Sequence, residues 1–341
     1  MIVKNEEKTI ARILKCAKKF SDEIVVVDTG STDNTKIIAK KYTNKVYYYV
    51  WNDNFADARN FSFSKATGTH IMWLDADDYI TKSNIEKVKL LKNNDDFDFC
   101  MCKYKIGKNF EFYRERIVKN SQKFRWNGFI HEAIAPSGKI VYSDITIEHK
   151  KIVAGNPKRN LKIYQKHLKN NEIFDARETY YFAKEFFYNG YYSSCIKWLN
   201  RFLKFADKFA PNVLDAYITK SRCFYQKKQF DKSLNCLFEF LKNNQPNAEI
   251  CCLIGDCFYA KNNLKTAVFW YKNALKCENN AKTGEFCNYD YSSIIPSLQL
   301  CAIYYKLGEI EKSKHFHKLS KKFSPNHPSV IYNENFFKNI F

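Results

Sequence analysis

The sequence predicts an α/β domain with a mostly parallel sheet, followed by an all-α domain of helical repeats. Three observations carry this. Strand-like and helix-like segments alternate up to about residue 150. From Ala176 onward strand patterns vanish and amphipathic helix pairs recur. Two acidic positions, Asp28 and the run Asp75–Asp78, fall where strands end, which is where open α/β sheets bind ligands.

Met1–Val3 is a short apolar strand end. Lys8–Phe20 follows with Ile10, Ile13, Leu14, Ala17 and Phe20 at helical spacing. Glu23–Val27 is a β-branched run ending at Asp28, and Thr29-Gly30-Ser31-Thr32-Asp33 is turn chemistry able to start a helix near Asn34. Lys45–Val50 reads as a strand, and Phe55–Lys65 as a helix stopped by Thr67-Gly68. His70–Leu74 is another strand and runs straight into Asp75-Ala76-Asp77-Asp78. Phe97–Ile106 alternates as a further strand.

In the second half four helix pairs align on their turns: Gly190-Tyr191-Tyr192, Lys228-Gln229-Phe230, Asn262-Asn263-Leu264 and Gly308-Glu309-Ile310. The intervals are 38, 34 and 46 residues. A tetratricopeptide repeat has about 34, and the long interval holds the insertion 277–291. Ala267 and Ser313 are small packing positions of the second helices. Stacked helix pairs offer an extended surface, so the expected role of the repeats is to hold a protein or peptide, or to form a homodimer. Tyr188, Tyr191, Tyr192 and Trp198 are open to either groove or core.

A length of 341 residues suits two domains, expected at 1–155 and 156–341, and 45% apolar with 17% aromatic residues supplies two cores. The net charge of +20 admits nucleic acid, anionic membrane or acidic substrates as partners. The lysines are scattered, however, with no run of five or six, so nucleic acid is not expected. No apolar run reaches the ~18 residues of a transmembrane helix, and no secretory leader is visible. Twelve cysteines lack any C-x-x-C pair and fall on apolar stripes, which reads as a reduced, cytoplasmic chain.

Asp75 and Asp77 alternate after an apolar strand and can point to one side. Converging carboxylates repel unless a cation joins them, and hard divalent ions such as Mg²⁺ and Mn²⁺ take carboxylate and phosphate oxygens. Asp28 can accept from a base or ribose hydroxyl. Arg59, in FADARNFS, supplies a fork-shaped cation for a phosphate. Together they describe a nucleoside diphosphate site.

The segments MIVKNEE, VVVDTGSTDNT, FADARNFSFSKATGTHIMWLDADD and WNGFIHE occur in this order. They resemble inverting family 2 glycosyltransferases of the Rossmann-like GT-A fold. The resemblance extends to the bacterial subgroup that joins this domain to tetratricopeptide-like helices, whose members glycosylate the sublancin peptide on sulfur or modify flagellin. It implies a nucleotide-sugar donor, with UDP the expected nucleotide, and Mn²⁺ or Mg²⁺ as cofactor. It implies that Val3, Asn5 and Glu7 line the nucleotide pocket, that Asp28 reads uracil or ribose, and that Arg59 approaches the nucleotide or its phosphates. Asp75 and Asp77 match the D-x-D pair, with Asp77 the leading metal ligand, and His149 matches a histidine that closes the site as a third ligand. Relatives carry further apolar residues before MIVKNEE, so an upstream extension is expected.

An inverting transfer needs a base opposite the leaving diphosphate. Glu132 is the candidate, with His131 as the alternative, and Trp126 is a candidate to stack on sugar or nucleotide. Two other functions fit the same residues less directly: transfer to a cell-envelope saccharide or lipid-linked glycan, and a non-catalytic repeat scaffold carrying a degenerate transferase domain.

Overall fold

The computed structural model describes all residues except 95, 108–109, 151, 153–155, 206–210, 278–286 and 341. The chain divides into two compact units, Met1–Asn156 and Pro157–Phe341. The domain boundary expected at 155/156 and most of the insertion 277–291 fall on or beside residues outside the described ones.

The first unit runs β1 (Ile2–Val3), α1 (Ile10–Ala17), β2 (Val26–Asp28), α2 (Thr35–Lys40), β3 (Val46–Tyr48), α3 (Phe55–Ser64), β4 (His70–Met72), β5 (Asp78–Tyr79), α4 (Lys82–Leu91), β6 (Phe99–Ile106), β7 (Phe110–Lys119) and β8 (Ile140–His149). Strands β1, β2 and β3 pair in parallel, as the strand–helix rhythm requires, and the register sets Val3 beside Asp28. A second sheet has the order β4-β7-β6-β8-β5. There β6 and β8 are parallel, and β4–β7, β6–β7 and β5–β8 are antiparallel. Strand β8 thus lies between β6 and β5, and its last residue His149 pairs with Asp78.

Helix α1 buries Ile10, Ile13 and Leu14 completely, on the stripe its spacing predicts. One core cluster joins α1 and α4 to the second sheet through Ile13, Leu74, Ile85, Val88, Cys100 and Ile147. Another packs Trp73, Phe99, Val118 and Trp126 against Ala56 of α3. Cys100 and Cys102 are fully buried, and no described cysteine is in a disulfide.

The second unit contains α5 (Arg159–Lys169), α6 (Ala176–Tyr188), α7 (Tyr192–Phe205), α8 (Pro211–Gln226), α9 (Phe230–Leu241), α10 (Ala248–Ala260), α11 (Leu264–Ala274), α12 (Ile294–Lys306), α13 (Ile310–Phe323) and α14 (Pro328–Ile340). Four pairs, α6–α7, α8–α9, α10–α11 and α12–α13, share one turn. Gly190, Lys228, Asn262 and Gly308 all take positive φ, between 57° and 77°. In each turn the following amide reaches back five residues: Tyr191 to the Phe186 carbonyl, Gln229 to Phe224, Asn263 to Phe258 and Glu309 to Tyr304, at 2.8–2.9 Å. The left-handed residue itself bonds three residues back, which completes a Schellman motif. The sequence alignment of the turns therefore marks equivalent backbone positions.

Small residues let the helices of each pair approach. Cys195, Ser233, Ala267 and Ser313 occupy the fourth position of α7, α9, α11 and α13, all fully buried. They face a small set one helix earlier: the Ser233 hydroxyl meets that of Ser221 at 2.7 Å, and the Ser313 hydroxyl donates to the Cys301 carbonyl at 2.7 Å. In the third pair this place is Gly255, where an added Cβ would lie 3.0 Å from the Tyr271 ring. That ring is fully buried and its hydroxyl is held by Asp256, so it cannot yield. Gly255→Ala is expected to destabilise the unit by about 1–3 kcal/mol through overpacking; a melting temperature equal to that of the wild type would contradict this.

Among the aromatics left open by the sequence, Tyr188 and Tyr191 are exposed, whereas Trp198 packs on Phe174 and Phe182. No helix among the described residues is long and apolar enough to cross a membrane.

Candidate functional site

Two loops leave the carboxyl ends of β1 and β2 and are stitched together. The Asn5 amide donates to Ser31 Oγ, that of Glu6 to Thr35 Oγ1 and that of Glu7 to Asp33 Oδ2. In return Asn5 Oδ1 accepts from the Thr32 amide and Glu7 Oε2 from the Asn34 amide. Val3 contributes its carbonyl, which accepts from Thr29. Asp28 is fully buried and its carboxylate accepts from the Gly30 and Ser31 amides, closing the turn. The residues expected to line a nucleotide pocket thus hold the two loops together as one hydrogen-bonded surface.

The segment WNGFIHE folds as a closed loop. Asn127 and Ala133 exchange amide–carbonyl bonds, Gly128 sits at φ 90° and His131 at φ 54°. The loop docks on α3 at two places. The Phe55 amide donates to the Phe129 carbonyl, and the Asn60 side chain bonds both backbone groups of Trp126. Trp126, a candidate stacking surface, is only 2% exposed and packs edge-on against Phe63 and Trp73. In this arrangement its ring belongs to the core, because docking the loop on α3 turns it inward.

This docking presents Glu132 to Arg59. Arg59 Nε donates to Glu132 Oε1 at 2.6 Å and its Nη2 to Asp75 Oδ1 at 2.9 Å, while the guanidinium lies over the rings of Trp73 and Trp126. Arg59, expected to reach a phosphate, therefore bridges two motifs far apart in sequence. Burial works against its charge, but Asp75 and Glu132 outweigh this and hold its pKa above the usual value. Burial likewise pushes the Asp75 carboxyl up, yet the Arg59 and Arg116 charges win and hold it at about 2. A depressed carboxyl contributes stability that is complete above its unfolded value, about 3.9, and is lost as pH falls toward 2. The stability gap between wild type and Asp75→Asn is expected to be constant above about pH 4 and to shrink below it, as measured by urea unfolding across that range.

Asp75 is not grouped with Asp77. The structure instead brings Asp77, Asp78 and His149 together, one potential ligand atom from each within 4.8 Å of the others. The physical reason is that Asp75 is committed to Arg59, while the strand pairing of β5 with β8 sets Asp78 opposite His149. His149 Nδ1 is 3.0 Å from the Tyr104 hydroxyl and 3.5 Å from Asp77 Oδ1. The bond to Asp77 raises the His149 pKa against the effect of burial, and Asp78 and Asp75 add to the rise. Burial pushes the Glu6 carboxyl up, and the charges of Asp77, Asp33 and Asp75 add to this against a hydrogen bond from Thr9. Negative charge thus dominates at His149 and Glu6, whereas the arginines dominate at Asp75.

Arg116 and Arg12, neither singled out by the sequence, complete the site. Arg116 and Asp78 are fully buried and paired at 2.9 Å. Arg116 lies between the Trp73 and Tyr104 rings, 3.7 and 4.2 Å from their centroids. It takes Asp78 Oδ2 and leaves Oδ1 buried without a hydrogen-bond partner. Arg12 from α1 donates to the Asp77 carbonyl at 3.0 Å and fixes the acidic turn from the other side. The signal for Arg116 lay in FEFYRERIVK, where an alternating apolar strand carries charges in its middle.

Residues 1–146 match the family model described as Glycosyl transferase family 2. The glycosyltransferase SunS of Bacillus phage SPbeta is 32% identical over 131 residues, which is 38% of this chain and 31% of that protein. A TPR repeat-containing protein of Synechococcus elongatus is 42% identical over 78 residues, 23% of this chain and 19% of that protein. The chain thus spans between a fifth and a third of the length of these curated relatives. Among solved structures, S. aureus TarS residues 1–349 in complex with UDP-GlcNAc aligns with a TM-score of 0.41 and 16% identity, over 71% of this chain and 91% of that one.

Proposed function

We propose that this chain, whose first 146 residues form a family 2 glycosyltransferase domain, moves a sugar from a nucleoside diphosphate sugar to a protein or peptide acceptor with inversion at the anomeric carbon. The observation that carries the reading is Arg59, which ties Asp75 of the D-x-D segment to Glu132 of the WNGFIHE loop. Beside it stands a cluster of two carboxylates and an imidazole at the strand ends.

A divalent cation fits that cluster. Asp78 Oδ1 is buried and unpartnered, and the donor set is oxygen-rich with one imidazole nitrogen, which suits Mn²⁺ or Mg²⁺. Asp77, Asp78 and His149 would hold the ion, which, when bound, stabilises the charge of the leaving diphosphate. The protein's own groups do the rest. The stitched loops 4–7 and 29–35 shape the nucleotide wall, with UDP the favoured nucleotide. Glu132 takes the proton of the acceptor hydroxyl or thiol as it attacks, with His131 the neighbouring alternative. Arg59 fixes the direction of the Glu132 carboxylate and keeps Asp75 from competing for the ion. The donor is a cytoplasmic metabolite class, so the reaction belongs in the cytoplasm, and the helical repeats are the surface for the acceptor.

The test is release of UDP from a panel of UDP-sugars by the full chain, with Mn²⁺ or with chelator, and transfer to candidate acceptor peptides. Metal-dependent release is expected. Glu132→Gln is expected to slow transfer by about a hundredfold or more while donor affinity is kept. Absence of release from any nucleotide-sugar, or full transfer by Glu132→Gln, would refute the donor site or the base assignment respectively.

A further inference from the structure

The second unit holds 29 of the 56 Lys and Arg residues but only 16 of the 36 Asp and Glu, so most of the positive charge resides there. Its distribution is uneven. Residues 157–171 and 186–206 contain no acidic side chain. On α5, Arg159, Lys162, Lys166 and Lys169 recur at helical spacing on the exposed face, opposite the buried Leu161, Ile163 and Tyr164. On α7, Lys197, Arg201 and Lys204 form a second exposed stripe.

Both helices enter one aromatic cluster. Tyr164 of α5, Phe182 of α6 and Trp198 of α7 pack together, and Phe174 of the α5–α6 loop touches all three. That anchor leaves its neighbour Ile173 projecting, 89% exposed. At the end of α7, Phe205 is 72% exposed, and Arg201 lies over the Trp198 ring. Among the described residues beside Phe174 the acids are engaged locally: Glu172 accepts from His167, and Asp175 with Glu178 forms the capping box of α6.

We propose that this face docks on an anionic bilayer, with the cationic stripes of α5 and α7 on lipid headgroups and Ile173 and Phe205 at the boundary of the acyl region. Cations around an exposed aliphatic tip are the pattern of peripheral membrane attachment. A nucleic-acid surface would instead centre on several rings free to stack; here Phe174 and Trp198 are packed against each other, and of the three rings Phe174, Trp198 and Phe205 only Phe205 is exposed. The proposal does not depend on the transferase reading, since it uses no residue of the first unit.

Co-sedimentation of the full chain with vesicles tests it, using phosphatidylglycerol mixed into phosphatidylcholine against phosphatidylcholine alone. Binding is expected only to the anionic vesicles and to weaken with salt. Lys162→Glu, Lys166→Glu and Lys169→Glu combined should reduce affinity by about a hundredfold or more, since each cation contributes about fivefold. Ile173→Ser with Phe205→Ser should lower affinity and leave the salt dependence unchanged. Lys265→Glu, Lys272→Glu and Lys276→Glu on and just beyond α11 impose the same change of net charge and should leave binding intact. Glutamine at the α5 positions carries the test if glutamate lowers the melting temperature. Equal loss from both charge-reversed triples would reduce the effect to net charge. Lack of binding by the wild type, or tighter binding of a single-stranded RNA through the same lysines, would overturn the proposal.

Discussion

Arg116→Met is expected to lower the stability of the first unit by about 3–5 kcal/mol, the largest loss from any single change in the site. The pair it belongs to is fully buried, so no water replaces the lost guanidinium. Asp78 would be left with an uncompensated carboxylate between its backbone bond to Asp75 and the apolar rings. Burial pushes that carboxyl up even with Arg116 present, and losing the Arg116 charge is expected to push it up further and to weaken its offer of an anionic oxygen to a cation. Arg116→Met with Asp78→Asn should recover part of the loss, because the orphaned charge is then absent. Urea unfolding of the three variants checks this. A single-mutant loss below about 1 kcal/mol, in the range of exposed pairs, would show that the pair does not organise the site.

Asp77→Ala should behave in the opposite way. Its carboxylate is partly exposed and its side-chain contact is the 3.5 Å approach to His149, so the fold is expected to survive with little change in melting temperature. Metal-dependent UDP release should fall by a factor of about a hundred or more, since the ion loses an anionic ligand. Mn²⁺ binding measured by calorimetry on the protein alone should weaken in parallel. The His149 pKa should also drop, because the bond to Asp77 is the main cause of its rise. A raised imidazole pKa contributes stability that is complete below the unfolded value, about 6.5, and disappears as pH rises through the folded one. NMR titration of His149 in both proteins reads this directly. Wild-type release rates in Asp77→Ala would remove the cation site from the mechanism.

Much of this architecture could be read from residue order. The β-branched run before Asp28 and the strand before Asp75 declared their ends, and the four turns declared the helix pairs, because hydrophobic period and turn chemistry are local signals. Strand β7 was hidden for a physical reason: Glu115 and Arg116 sit at buried positions, so a core strand carries the composition of a surface one. The same concealment covered the Arg116–Asp78 pair and the choice of Asp78 over Asp75 beside His149. Neither is a matter of spacing. The place of Asp78 beside His149 follows from the pairing of β5 with β8, which joins residues about seventy positions apart, and the Arg116–Asp78 pair follows from β7 lying beside β4, just beyond which Trp73 bonds the Arg116 carbonyl. Likewise nothing local distinguishes Trp126 as a ring turned inward from one turned toward a ligand; the docking of its loop on α3 decides that.

The placement of β8 also has a consequence for how the protein is made. The second sheet cannot close until its parallel partner to β6 is available, and that partner is the last strand of the unit to be synthesised. Chains emerging from the ribosome therefore pass through an interval in which β5 and one edge of β6 lack their neighbour and the acidic turn lacks its imidazole. Pairings over such separations form slowly, and unpaired edges are where nascent chains misassociate. The helix pairs that follow need only local contacts and can form as soon as each is complete. Assembly of the first unit, rather than of the repeats, is thus expected to set the pace and the losses of biosynthesis.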